Sequence, residues 1–116
     1  MNIASVFLPV SDPSIVAEWY RDVLDLRIAS SDDHAAVLET SDPVRRLTLL
    51  GPPSGIKADP GLPWAPVSFL VEDLAAAHAR LSGSGVAVGA VDGDDQTCLW
   101  FTAEDPDGNT LLFVDR

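Results

Sequence analysis

Short apolar runs alternate along this chain with one longer kind of segment, in which apolar residues fall three and four apart. The first such pair is "VFLPVSDPSIVAEWYRDVLDLRI", starting at Val6, and the second is "VSFLVEDLAAAHARLSGSGVAV", starting at Val67. Val6, Val10 and Asp12 recur as Val67, Val71 and Asp73, so the chain carries an internal repeat. In each copy a strand precedes a capped helix. Asp12 caps the first helix, with Pro13 at its first position, and Ile15, Val16, Trp19, Tyr20, Val23 and Leu24 form the apolar stripe. Asp73 caps the second helix, Leu74, Ala77, His78 and Leu81 follow at helical spacing, and "SGSG" stops it.

After each helix come three short β-like runs separated by turn residues: "LRIAS", "AAVLET" and "RRLTLL", then "VAVGAV", "TCLWFTA" and "TLLFV". The pattern predicts an α+β protein of two tandem βαβββ modules, spanning 1–51 and 65–116. The Pro- and Gly-rich linker 52–64 joins them. One such module leaves a sheet face open, so two should pair.

Composition narrows the classes of function. At 116 residues the chain is the size of one domain, and 47% hydrophobic with 22% charged residues describes a globular protein. No apolar run reaches the roughly 20 residues of a bilayer span. The opening "MNIASVFLPVSDP" lacks the basic start and long apolar core of a signal peptide, so a cytoplasmic location is expected. A net charge of −11 argues against nucleic acid and anionic membranes as partners and leaves cationic small molecules open, although acidity also serves solubility alone. The single cysteine, Cys98, rules out an internal disulfide framework.

Candidate chemistry is sparse. "DPDGNT" places Asp105, Asp107 and Asn109 like the first oxygen ligands of a calcium loop, but Thr110 and Arg116 stand where that loop needs Gly and Glu. The stretch reads instead as a hairpin turn, with Pro106 fixing φ and Gly108 taking positive φ. His34 lies in the polar turn "SSDDHAA", and His78 falls on or beside a helical stripe as a packing residue. No Ser or Cys has a neighbouring His at a nucleophile spacing, so no catalytic residue is assigned.

"FLPVSDPSIVAEWYRDVLDL", its repeat, and the closing "DPDGNTLLFVD" together resemble the vicinal oxygen chelate superfamily of glyoxalases, extradiol dioxygenases and bleomycin resistance proteins. The resemblance covers nearly the whole chain. It implies that the two modules form a cup-shaped mixed sheet with the helices on its outer face and, in the enzymes, a divalent metal held in the cup by one residue from each of four strands. Three of those positions fall here at Ser5, Pro66 and Leu112, none of them a credible ligand, and the fourth lies in "RRLTLL", at Thr48. The resemblance therefore implies a metal-free protein without a cofactor. It would sequester an aromatic or cationic molecule in the cup, in the manner of antibiotic resistance proteins, and act as a homodimer. The alternatives are a metal-dependent glyoxalase-like lyase or dioxygenase with unusual ligands, and a domain that binds nothing. Strand alternation from the same positions turns Ser5, Phe7 and Pro9, then Pro66, Ser68 and Leu70, and finally Thr110, Leu112 and Val114 toward the cup. One of Trp100 and Phe101 joins them, and the indole N–H favours Trp100. Trp64 lies in the linker, at the rim or a dimer contact. The expected ligand-binding set is Ser5, Phe7, Thr48, Trp64, Ser68, Leu70, Trp100 and Leu112.

Overall fold

The computed structural model describes residues 1–42 and 44–116. Two compact units divide the chain at Pro60 and Gly61, inside the segment expected to be a linker. The first unit holds β1 (Ser5–Pro9), α1 (Pro13–Leu24), β2 (Arg27–Ser31), β3 (Ala35–Glu39) and β4 (Arg46–Leu50). The second holds β5 (Ser68–Leu70), α2 (Leu74–Gly83), β6 (Asp92–Gly93), β7 (Leu99–Glu104) and β8 (Thr110–Val114). Each forms its own four-stranded mixed sheet, ordered β1-β4-β3-β2 and β5-β8-β7-β6. In each sheet the first and last strands of the module pair in parallel and the remaining pairs are antiparallel. The fold is therefore α+β, built from two βαβββ modules.

Local chemistry accounts for the helix ends. Asp12 accepts from the Ser14 N–H at 3.1 Å and from the Ser14 hydroxyl at 2.8 Å, so an otherwise unpaired donor of the first turn is satisfied. Asp73 does the same for the Ala76 N–H at 3.0 Å. Helix α2 ends as "SGSG" predicts, with Gly85 at φ +81 and the Val86 N–H donating back to the Leu81 carbonyl. Ile15, expected on the apolar stripe, is 66% exposed, because the buried side of α1 is formed by Val16, Ala17 and Tyr20. Trp19 is only half-buried and packs edge-on against Tyr20.

Strand alternation sorts the rest. In the first module Leu8, Leu38, Leu47 and Leu49 are buried on the helix side of the sheet. In the second, Phe101, Leu111 and Phe113 occupy that side. Phe101 stacks on Phe113 with ring centroids 4.9 Å apart, Phe113 stacks on Phe69 at 5.3 Å, and the His78 ring meets Phe101 edge-on at 5.0 Å. Such pairs contribute about 0.5–1.5 kcal/mol each beyond the area they bury.

One element differs from expectation. The strand predicted over "VAVGAV" is reduced to a single bridge, Val88 with Ala103, flanked by hydrogen bonds from Gly89 to Thr102 and from Glu104 to Ala87. Pairing resumes at Asp92 and Gly93, opposite Trp100 and Leu99. Gly89 and Ala90 bring little side chain to hold the intervening ladder.

Candidate functional site

Each sheet has one face turned to its helix and one turned away, and the residues expected to bind a ligand lie mostly on the faces turned away. In the first module, β1 and β4 pair Ser5 with Arg46 and Phe7 with Thr48. Phe7 is 55% exposed beside buried Leu8. The hydroxyls of Ser5 and Thr48 share a hydrogen bond of 2.7 Å, and Thr48 is buried. Further along the same face, β3 sets Glu39 opposite Arg46 and β2 sets Arg27 opposite Glu39, and the Arg27 guanidinium donates to the Glu39 carboxylate.

In the second module, β5 and β8 pair Ser68 with Leu112 and Leu70 with Val114. Leu70 is 74% exposed. Because Phe101 belongs to the aromatic stack on the helix side, its neighbour Trp100 projects from the other face, opposite Val114. Thr102 and Glu104 follow Trp100 on that face by strand parity, opposite Leu112 and Thr110. Beside them an open groove of about 250 Å³ is lined by Ala87, Gly89, Thr102, Glu104 and Thr110. On the helix side, the His78 Nε2 lies 2.9 Å from the Gly89 carbonyl.

The structure thus gathers Ser5, Phe7 and Thr48 on one sheet face, and Ser68, Leu70, Trp100 and Leu112 on the other module's face. Pro66 is exposed just before β5. Trp64 belongs to neither sheet and is 67% exposed on the segment leading to β5. Thr102 and Glu104 are additions that the sequence could have supplied, since they sit two and four residues beyond Trp100 on one strand.

Several titratable groups elsewhere serve turns. His34 is exposed in the β2–β3 turn, with Nδ1 2.8 Å from Asp33. Asp32, Asp33 and His34 can bring one ligand atom each within 4.8 Å of the others, all exposed. Asp32 accepts from the N–H groups of Ala35 and His34, which hold its carboxyl below the usual range. Asp94 is lowered in the same way by the N–H groups of Thr97 and Gln96. Asp105 is a buried turn acceptor, bonded to the N–H groups of Asp107 and Asn109 and to the Asn109 amide. The turn reading of "DPDGNT" therefore extends to its geometry. Among the described residues, no helix is long and apolar enough to cross a membrane.

Solved structures share this architecture. A bleomycin resistance determinant encoded on the transposon Tn5 superposes with a TM-score of 0.75 at 21% identity, covering 100% of this chain and 98% of that one. An antibiotic binding protein from a Streptomyces species gives 0.78 at 20% identity, covering 97% and 93%. Lactoylglutathione lyase from Agrobacterium tumefaciens gives 0.77 at 18% identity, covering 97% and 92%. These likenesses are of fold. No curated protein matches the chain. A family model matches residues 2–113, nearly the whole chain and both copies of the repeat. The chain belongs to the Glyoxalase/Bleomycin resistance protein/Dioxygenase superfamily.

Proposed function

We propose that this protein binds an aromatic or cationic small molecule on the sheet faces turned away from its helices and sequesters it without a metal ion. The observation that carries the reading is the donor set. Where the family's enzymes would place nitrogen and oxygen ligands, this chain has two hydroxyls bonded to each other, Ser5 and Thr48, together with Pro66 and Leu112. That set does not fit a divalent ion, which takes imidazole, carboxylate or thiolate donors. The first module's face also carries Phe7, and the second module's face Leu70 and Trp100, apolar side chains beside a few polar groups, as suits organic ligands. The net charge of −11 favours a cationic one. The structural neighbours named for bleomycin resistance and antibiotic binding point the same way.

Native mass spectrometry of protein purified without added metal or chelator tests this reading. A metal-free mass, bare or with an organic adduct, is expected, at twice the subunit mass if the homodimer forms. One divalent ion per subunit would contradict it and favour a metal-dependent lyase or dioxygenase.

A further inference from the structure

The internal repeat supplies a comparison within the molecule itself. Glu39 in the first module and Glu104 in the second occupy the same place: each ends the middle strand of its antiparallel trio, on the face turned away from the helix. On one side Glu39 has Arg46 as its cross-strand partner, where Glu104 has Thr110. On the other side Glu39 has Arg27, where the bridge of Val88 with Ala103 sets Ala87 opposite Glu104. The second module thus has the carboxylate too, with Thr and Ala where the first has its two flanking arginines. In the first module that carboxylate is occupied, because the Arg27 guanidinium donates to Glu39. In the second, Glu104 is exposed, and among the described residues it has no ion pair.

The space left behind is the groove described above. Ala87 and Gly89 make one wall, and a Cβ added at Gly89 would come within 3.0 Å of the Thr102 hydroxyl, so the small residues keep the cleft open. Thr102, Thr110 and Glu104 supply two hydroxyls and a carboxylate as acceptors along it. The Gly89 wall is held by its carbonyl contact with His78.

We infer that this groove binds a guanidinium or similar planar organic cation, which takes beside Glu104 the place that Arg27 takes beside Glu39. The inference deepens the ligand-binding reading above and rests on it, by assigning the cationic part of the ligand to a defined carboxylate. A planar cation with several N–H donors matches a carboxylate bidentately and can give further hydrogen bonds to the hydroxyls beside it. Binding by the isolated cation will be weak, since an exposed charge pair contributes little alone.

The test is an NMR titration of the whole protein with methylguanidinium, followed at the backbone amides of Gly89, Thr102, Glu104 and Thr110, with neutral methylurea as the isosteric control. Saturable shifts at these amides are expected for the cation and not for the urea. Glu104→Gln should weaken the cation by about two- to fivefold, the range of an exposed charge pair. Ala87→Arg should abolish the shifts by restoring the first module's ion pair in place of the ligand. Both positions are exposed, so both variants should stay folded. Absence of saturable shifts, equal shifts from methylurea, or unchanged affinity in Glu104→Gln would overturn the assignment. The indole N–H of Trp100, followed in the same spectra with acridine, neutral near pH 8, reports on the apolar face separately. An empty groove and an empty face are thereby told apart.

Discussion

Asn109 has no exposed surface, and its amide joins parts of the chain that are distant in sequence. Its oxygen accepts from the N–H groups of Gly61 and Leu62 at 2.9 Å each, while its nitrogen donates to Asp105 at 3.0 Å. The segment entering the second module is thus tied to the closing hairpin, and the Thr110 N–H adds a bond to the Leu62 carbonyl. Asn109→Ala should lower unfolding free energy by about 1–3 kcal/mol, the effect of leaving such donors unpaired. Urea denaturation measures it, and a loss within error of zero would show that water replaces the amide. The turn around Pro106 was legible because Pro, Asp and Gly at those offsets each have a local reason to be there. The role of Asn109 was not, since Gly61 and Leu62 lie almost fifty residues away and nothing in the local pattern points to them. Trp100 stands between these cases. Alternation placed it opposite Phe101, but only the stack of Phe101 on Phe113 decides which ring is turned to the helix.

At the scale of elements, the repeat read from Val6 and Val67 extends to hydrogen-bond register. Phe7 pairs with Thr48 as Ser68 pairs with Leu112, and Leu8 with Leu49 as Phe69 with Phe113. Periodicity fixed the helices and most strands, because each buries one regular face. It overstated "VAVGAV", whose alternation is real but whose Gly89 and Ala90 give the ladder little to pack. The two hairpin turns of β2–β3 and β6–β7 make a pH prediction. Asp32 and Asp94 have folded pKa values lowered by backbone N–H donors. Their contribution to stability is therefore present above the unfolded aspartate value of about 3.9 and is lost as pH falls through the depressed folded value. Asp32→Asn and Asp94→Asn should each reduce stability at neutral pH, and the difference from wild type should shrink in acid. Thermal melts across that range give the comparison, and a difference that grows on acidification would refute the sign.

For the molecule as a whole, family membership was within reach of the sequence because the order of strand, capped helix and closing hairpin is distributed over almost its full length. The ligand was not, because specificity lies in a few side chains whose neighbours come from other strands, as Glu104 with Ala87 and Thr110 illustrates. Trp100 and Glu104 lie on one face of β7 four residues apart, about 14 Å along an extended strand. A molecule with an aromatic end and a cationic end at that separation would meet both. The central claim is that the sheet faces turned away from the helices bind aromatic or cationic small molecules without metal. Titration of the protein's tryptophan fluorescence with N-methylacridinium, with and without chelator, tests it most directly. Saturable quenching in the micromolar range, unaltered by chelator and lost in Trp100→Phe, is the predicted result. Quenching that never saturates, or that chelator abolishes, would contradict it.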